Sequence, residues 1–192
     1  MSYVEQKQAR CETSIMISNV EINQQARLSQ HFTLGELCKT SVKTEDGNIP
    51  SHVHIENLKR LCGWLERLRT RYYERYVKKR NEKLEMRNEN EEMKNEIPIV
   101  INSGYRSEAV NKAVGGVKTS NHLTGCAVDI RVSGLEQALR YAVILLDISD
   151  ESGEPFDELL LERGSKGNYW LHFAVRPPSQ DNRRRIRMIQ GS

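Results

Sequence analysis

Long apolar stretches are missing from this sequence. None reaches the about 18 consecutive apolar residues that mark a transmembrane helix, so no transmembrane segment is expected. The most apolar part of the N-terminal region, Ser14–Val20, is too short and too interrupted for the core of a secretory signal. The sequence therefore predicts a soluble protein that is cytoplasmic when it is synthesised.

A large excess of one charge is also absent. The 29 lysines and arginines nearly balance the 26 acidic residues, and the formal net charge is +3. This balance gives no reason to expect a nucleic-acid partner. One local exception is the basic C-terminal region 177–192, which holds Arg183, Arg184, Arg185 and Arg187. We interpret this region as a solvated tail, with an anchor on an anionic polymer or membrane surface as the alternative.

Closely spaced cysteines are absent as well. No two of the four cysteines form a C-x-x-C pair; they are Cys11, Cys38, Cys62 and Cys126. This spacing indicates scattered reduced thiols, and it argues against a disulfide framework or a structural zinc site made of cysteines.

The sequence does contain enough apolar material for one core. A chain of 192 residues with 38% hydrophobic residues suits a single domain, which we expect at 29–176 and as a monomer. An N-terminal arm at 1–28 should precede it, and the basic tail at 177–192 should follow. Within the domain, more than half of residues 71–96 are charged. We interpret 71–96 as a solvated helical extension or a partly disordered insertion, because no sustained heptad supports a partner-binding coiled coil.

The N-terminal half of the domain predicts two helices. Thr33 and Glu36 fit a capping box, and Phe32 and Leu37 fit the hydrophobic staple that accompanies it. A longer helix should follow Pro50, because apolar residues recur there every three or four positions. The stripe consists of Ile55, Leu58, Leu61, Cys62, Leu65 and Leu68, and the apolar pattern fades after Leu68.

The C-terminal half alternates strands with helices. Strands are predicted at 99–101, 126–132, 156–162 and 169–175, and the Gly164–Gly167 turn makes the last two an antiparallel hairpin. A short helix after Arg106 should stop at Gly115-Gly116. A capping box of Ser133 and Glu136 should open an amphipathic helix that runs through Ile148. The predicted fold class is α+β, a small antiparallel or mixed sheet flanked by helices.

Two of the strands carry polar residues of metal-ligand type. In 126–132, alternation places Asp129 on the face opposite the uniformly apolar one. In 169–175, His172 likewise lies opposite an apolar face, and a histidine embedded in such a strand needs a partner. His122 lies in the loop that leads into the first strand. A catalytic zinc usually has three ligands of the His and carboxylate type, so these three residues form a candidate metal site.

Seven motifs occur together in this chain. They are H-F-T-L-x-E-L at 31–37, S-G-Y-R-S at 103–107, Asn111, V-G-G-V at 114–117, S-x-H-L-x-G-x-A-x-D at 120–129, F-D-x-L at 156–159 and W-L-H at 170–172. In these motifs, residues 29–176 resemble the zinc D-Ala-D-Ala carboxypeptidases, the M15-like peptidases. Their superfamily also includes the murein endopeptidases and the hedgehog signalling domain. The charged segment 71–96 is the main interruption of the resemblance.

The resemblance implies a role for several residues. His122, Asp129 and His172 would bind Zn²⁺. Arg106 would hold a carbonyl or carboxylate of the substrate, for which its planar guanidinium is suited. Further candidates for substrate contact in the same site are Ser120, Tyr105 and Trp170.

The general base is the point at which the sequence departs from the family pattern. Many relatives have an acidic residue three positions before the last histidine, where this chain has Tyr169. We assign the role to Glu162, which ends the strand before the hairpin turn and comes close to His172 when the hairpin folds. Glu158 lies on the same strand face and is a weaker candidate.

These features predict metal-assisted hydrolysis of amide bonds in peptidoglycan stem peptides. Glu162 would move the proton, and Arg106 would help to stabilise the oxyanion. Both a D-Ala-D-Ala carboxypeptidase and a murein endopeptidase fit. The size and the lack of an evident signal resemble a phage or prophage endolysin, which would act on the cell wall after release or lysis. The alternative is a catalytically inactive zinc-binding module of the same fold.

Overall fold

A mixed sheet of five strands lies at the centre of the computed structural model, which describes residues 23–45, 47–78 and 98–190. The strands are β1 (Ile101–Ser103), β2 (Ala127–Arg131), β3 (Glu158–Arg163), β4 (Tyr169–Ala174) and β5 (Arg185–Gln190). Their order across the sheet is β1-β2-β4-β3-β5. Neighbouring strands are antiparallel except for β3 and β5, which are parallel.

Helices of very different length surround this sheet. They are α1 (Leu34–Leu37), α2 (His52–Tyr72), α3 (Glu108–Ala113) and α4 (Leu135–Ser152). A π-helical segment, Tyr73–Lys78, continues α2, and a 3₁₀ helix, Asn121–Thr124, precedes β2. This combination confirms the predicted α+β class. No helix within 23–45, 47–78 or 98–190 is long and apolar enough to cross a bilayer.

The two N-terminal helices begin where the capping patterns predict. In α1, the Glu36 N–H donates to Thr33 Oγ1 at 3.3 Å and the Thr33 N–H donates to Glu36 Oε2 at 2.9 Å. Ser51, directly after Pro50, caps α2. The apolar stripe of α2 does not fade at Leu68, however. Tyr72 is buried one turn further on and packs with the core, although the sequence around it is highly charged.

Both ends of α4 differ from the prediction. The N-cap is Gly134, which has no side chain, and the Ser133 N–H donates to Gln137 Oε1 at 2.7 Å. The predicted capping box of Ser133 and Glu136 is therefore wrong, because Gln137 satisfies the backbone and Glu136 pairs with Arg140 instead. The helix also runs past Ile148 to Ser152 before glycine in the left-handed region ends it.

The central strands separate an apolar face from a polar one, as alternation predicts. The core side chains of β2 and β4 are completely buried and belong to the same cluster as residues of α2 and α4; they are Val128, Ile130, Leu171 and Phe173. Asp129 and His172 lie on the opposite face. The helices α2 and α4 therefore cover one side of the sheet and leave the ligand candidates on the other.

The predicted hairpin is confirmed, but the first strand is displaced. β3 and β4 pair antiparallel from Glu158 opposite Ala174 to Arg163 opposite Tyr169. β1 begins only at Ile101, two residues later than predicted. The preceding Ile99 is buried in the core rather than paired in the sheet.

The basic C-terminal region departs most from the expectation. Residues 185–190 are not a solvated tail but form β5, which pairs along the whole of β3. Just before β5, the Arg183 guanidinium donates to both carboxylate oxygens of Asp157, Nε at 2.8 Å and Nη2 at 2.6 Å. Such pairs join distant parts of the chain, so a local charge pattern does not reveal them.

Several sequence-based predictions lie outside the described residues. This applies to 1–22 of the predicted arm, to Cys11 and to 79–96 of the charged segment. The other cysteines, Cys38, Cys62 and Cys126, are buried free thiols.

Asp157 should make the free energy of unfolding depend on pH in the acidic range. Burial would raise the pKa of its carboxyl, but hydrogen bonds from Arg183 and Asn121 lower that pKa to about 2. The pKa of this carboxyl is therefore lower in the folded protein than in the unfolded chain, where it is about 4. Its ionised form stabilises the fold fully above a pH of about 4, and this stabilisation is lost as the pH falls through about 2. We expect Asp157→Asn to lower the free energy of unfolding at neutral pH by about 2 kcal/mol. Chemical denaturation at a series of pH values measures this.

Asp150→Asn is the matched control, because Asp150 forms an exposed ion pair with Arg184. Such a pair contributes at most about 1 kcal/mol, so the control should stay close to wild type. If Asp157→Asn kept the wild-type dependence of unfolding on pH between about 4 and 2, the assignment would be wrong.

Candidate metal centre and active site

Three side chains of metal-ligand type meet on the polar face of the sheet. His122, Asp129 and His172 each offer one ligand atom, and these atoms lie within 4.8 Å of one another. The three residues are only 2%, 8% and 7% exposed, respectively. The group could hold a metal ion.

Strand pairing and one glycine bring these side chains together. Asp129 of β2 and His172 of β4 are direct register partners, so their side chains are neighbours on the same face. His122 comes from the 3₁₀ helix, which Gly125 ends at φ 69°. A Cβ at Gly125 would also lie 2.7 Å from the carbonyl oxygen of His54. Only glycine suits this position, which accounts for the H-L-x-G spacing of the motif.

Backbone contacts orient His122. Its Nδ1 lies 2.6 Å from the Gly104 carbonyl oxygen, an acceptor that requires Nδ1 to carry the proton. The lone pair of Nε2 therefore faces the site, where Asp129 Oδ1 is 3.3 Å away. The Ser120 hydroxyl accepts the backbone N–H of His122 at 3.3 Å. Ser120 thus helps to hold the helix that carries the ligand candidate.

His172 has a carboxylate at each ring nitrogen. Nδ1 lies 2.9 Å from Asp129 Oδ1, and Nε2 lies 3.5 Å from Glu158 Oε2. The nitrogen that faces the site is therefore Nδ1. A metal-binding histidine commonly gives its other N–H to a carboxylate or carbonyl, and Glu158 has the right position to accept it.

Arg106 contacts the remaining oxygen of Asp129. Its Nη2 donates to Asp129 Oδ2 at 2.5 Å, and its Nε donates to Ser103 Oγ at 2.8 Å. The backbone N–H of Arg106 also donates to the His122 carbonyl at 3.1 Å. Arg106 therefore lies at the site, and these contacts use two of the five N–H groups of its guanidinium.

The buried carboxylate and imidazoles of the site shift one another's pKa values. Burial alone would raise the pKa of Asp129, but His122 and His172 hold it far below its usual range, so the carboxylate is ionised. Burial lowers the pKa of His122. It would lower that of His172 too, but hydrogen bonds with Asp129 and Glu158 raise the pKa of His172 to about 9.

The donor set matches the requirements of a catalytic zinc. Two imidazoles and one carboxylate are ligands that Zn²⁺ prefers, and three protein ligands leave a position open for water or substrate. His122 already has the outer contact that fixes a ligand tautomer. The residues present therefore fit Zn²⁺ by chemistry, spacing and orientation.

Glu162 lies on the same side of the sheet as the three ligand candidates. It is the register partner of Trp170 on β4, two residues before His172, and alternation gives all three side chains one face. Burial and then the charge of Asp129 raise the pKa of Glu162, whereas His172 and Arg106 lower it to a lesser extent. A half-buried carboxylate close to the site with a raised pKa has the properties of a general base.

Glu158 has different surroundings from Glu162. Its carboxylate is held by Asn121, Arg183 and Arg185 as well as facing His172. The hydrogen bond with His172, followed by the charges of His172 and Arg183, lowers the pKa of Glu158. The two glutamates of β3 are therefore differently suited to accept a proton.

Tyr169 faces away from the site. It is the register partner of Arg163, and its side chain packs against the hydrophobic core. It lies three positions before His172, an odd offset, so alternation puts the two on opposite faces of β4.

The other two residues predicted to contact the substrate, Trp170 and Tyr105, differ in how exposed they are. Trp170 is half-buried beside Glu162 on the polar face of the sheet. Tyr105 is only 6% exposed, belongs to the core cluster and stacks on His54 with ring centroids 4.9 Å apart. The structure thus gives Tyr105 a packing position and does not present its ring at the surface.

Sequence reasoning missed Asn48, which holds the S-G-Y-R-S loop. Its Nδ2 donates to the Tyr105 carbonyl at 3.2 Å and to the Cys38 carbonyl at 2.8 Å. Its Oδ1 accepts the Ser107 N–H at 2.7 Å. Asn48 has a positive φ of 54°, and the preceding Gly47 was the one local signal that marked this turn.

A buried His-Asp-His group beside an arginine and a glutamate is typical of a metal-dependent hydrolase. A family model described as Peptidase M15 matches residues 77–145 of this chain. The match supports the M15 peptidase family, whose members are typically metal-dependent. It contains Arg106, Ser120, His122 and Asp129 but ends before β3 and β4, so the position of His172 is an independent observation. No curated protein matches the chain.

Gly104 should be needed for a correctly placed His122. A Cβ at this position would lie 2.2 Å from the Leu37 carbonyl oxygen, which is a backbone atom and cannot swing aside. Gly104→Ala should therefore displace the carbonyl that binds His122 Nδ1. We expect a loss of about 1–3 kcal/mol in the free energy of unfolding together with weaker zinc binding, measured by chemical denaturation and by competition with a chelator.

Gly63→Ala is the matched control, because Gly63 lies in α2 and a Cβ there meets nothing within 4 Å. This variant should gain up to about 1 kcal/mol from helix propensity. A Gly104→Ala protein as stable as wild type would mean that the loop moves freely and that the close contact is unimportant.

Proposed function

We propose that this protein is a zinc-dependent peptidase that hydrolyses amide bonds in the stem peptides of peptidoglycan. The observation that carries this proposal is the convergence of His122, Asp129 and His172 on one buried point, with Arg106 and Glu162 on the same side of the sheet. The match to the peptidase family supports the reaction class.

His122, Asp129 and His172 would hold the metal. Bound Zn²⁺ would supply a Lewis acid and a water of lowered pKa at the open position. His122 Nε2, His172 Nδ1 and Asp129 Oδ1 are the atoms that already face one another. The low pKa of Asp129 keeps it in the ionised form that a ligand requires.

Glu162 would transfer the proton during hydrolysis. It would take a proton from the attacking water as the new C–O bond forms, and return it to the amine nitrogen as the C–N bond breaks. The raised pKa brings this carboxylate closer to the working pH, which favours both steps. Glu158 is less suited, because its oxygens are occupied by three cationic or amide donors and by His172.

Arg106 would have two tasks. It holds Asp129 Oδ2, and its remaining N–H groups would bind the carbonyl oxygen on which negative charge develops. The same groups would suit a terminal carboxylate, as required of a D-Ala-D-Ala carboxypeptidase. A murein endopeptidase of the phage or prophage endolysin type would use them for an internal carbonyl. Analysis of the products from digested muropeptides distinguishes these two substrates.

Two observations favour a second candidate, a zinc-binding module without turnover. The family position of the acid is occupied by Tyr169, which packs into the core, and Arg106 is engaged by Asp129 rather than open to a substrate. This candidate predicts one zinc per chain and no release of any fragment from peptidoglycan.

His122→Ala should abolish both zinc binding and hydrolysis. The variant loses one of three ligand atoms and removes one of the two imidazoles that face Asp129. Zinc content is measured after dialysis, and hydrolysis is measured on purified peptidoglycan with and without a chelator. His52→Ala is the matched control, since His52 is exposed at the start of α2. Chelator-resistant hydrolysis by the wild type would contradict the proposal.

Glu162→Gln should separate binding from catalysis. The amide keeps the size of the side chain but cannot accept a proton, so we expect kcat to fall by about 10²–10⁴ while one zinc per chain is retained. Glu151→Gln, in an exposed ion pair with Arg71, is the control that should behave as wild type. If Glu162→Gln kept full activity, the general base would lie elsewhere.

A further inference from the structure

Two arginines of the C-terminal region meet the carboxylate of Glu158. Arg183 Nη2 and Arg185 Nη1 each lie 3.0 Å from Glu158 Oε1. Arg185 is also the register partner of Glu158 in the parallel pairing of β3 and β5. The contact is therefore built into the sheet, because the two residues face each other across neighbouring strands.

The other oxygen of Glu158 faces the metal centre. Oε2 accepts a hydrogen bond from Asn121 Nδ2 at 3.0 Å and lies 3.5 Å from His172 Nε2. Asn121 directly precedes His122, so this oxygen contacts the surroundings of both histidines. The Glu158 side chain is 15% exposed. Its position is thus determined by neighbours on both sides rather than by solvent.

We infer that β5 is a working part of the metal centre: Arg185, with Arg183, holds Glu158 so that its Oε2 accepts the Nε2–H of His172 and leaves Nδ1 free for the metal. This inference rests on the proposed function. Glu158 is a positioning residue in it and does not touch the substrate. Arg183 and Arg185 of the basic C-terminal region accordingly act through an acidic residue of the protein itself.

The physical argument concerns the tautomer of His172. Zinc binding displaces one proton from the His172 ring, and only the nitrogen that gives it up can bind the metal. The carboxylate that faces Nε2 retains the proton there, so the ring orientation is fixed and Nδ1 is directed at the metal. Two guanidinium groups on Oε1 prevent the Glu158 side chain from rotating to another partner. Loss of this support typically weakens metal affinity by about 10–100-fold.

Arg185 offers the sharpest test, because its side-chain contact with Glu158 is separate from the buried Asp157 cluster that Arg183 also joins. We expect Arg185→Ala to weaken zinc binding and Glu158→Ala to weaken it more, by about 10–100-fold. Glu158→Gln keeps an acceptor oxygen and should fall between wild type and Glu158→Ala. Zinc dissociation constants are measured by competition with a chromophoric chelator.

Arg187→Ala is the matched control. Arg187 lies on the same strand, two residues further on, and has no ion pair with any residue in the part of the chain that the structure describes. It should bind zinc as wild type does. Thermal unfolding of each metal-free variant shows whether it is folded. If Arg185→Ala does not fold, Glu158→Gln decides, since it preserves the size of the side chain.

The outcomes separate this inference from the proposed function. Absence of zinc binding in the wild type would overturn both. Stoichiometric zinc in the wild type, its loss in His122→Ala, and unchanged dissociation constants in Glu158→Ala and Arg185→Ala would overturn this inference alone. Weakened binding in both variants, with metal-free unfolding midpoints near that of wild type, supports it. Partial recovery of kcat at excess zinc would confirm that the defect lies in metal affinity, which a purely structural role would not produce.

Discussion

The buried carboxylate of Asp129 is the group on which the rest of the site depends. Oδ1 faces both histidines, and Oδ2 accepts the hydrogen bond of Arg106. An ionised carboxylate at this depth costs several kcal/mol unless it is paired. Its partners come from the loop after β1, from the 3₁₀ helix and from β4, so one charge ties three separate segments to β2. A metal would join the same arrangement rather than create it.

Two close backbone contacts position the loops that lie next to that carboxylate. At Gly104 the chain passes against the Leu37 carbonyl, and at Gly125 it passes against the His54 carbonyl. Neither position has room for a side chain. The glycines of the S-G-Y-R and H-L-x-G motifs therefore reflect packing against α1 and α2, and the Gly104 carbonyl also orients His122. This explains how the N-terminal helices contribute to the site without supplying a ligand atom.

The two glutamates of β3 illustrate how surroundings divide tasks between identical side chains. They share a strand face, and sequence alone ranks them only by distance from the hairpin turn. Glu158 is held between His172 and the arginines of the C-terminal region, which lowers its pKa. Glu162 has the charge of Asp129 near it and is partly buried, which raises its pKa. A carboxylate that orients a ligand and one that moves a proton need these opposite environments.

Local sequence patterns were enough to predict the α+β class, the hairpin, the start of α1 and α2, and the faces on which Asp129 and His172 lie. These follow from caps, turns and alternation, which act over a few neighbouring residues. Such patterns did not determine the cap of α4, where Gln137 competes with Glu136, or the continued burial of Tyr72. The sequence pattern also did not predict the contact of Arg185 with Glu158, which lies 27 positions away in the chain. Such contacts arise from the tertiary fold, because pairing between strands distant in the chain places charges together without any local sequence pattern.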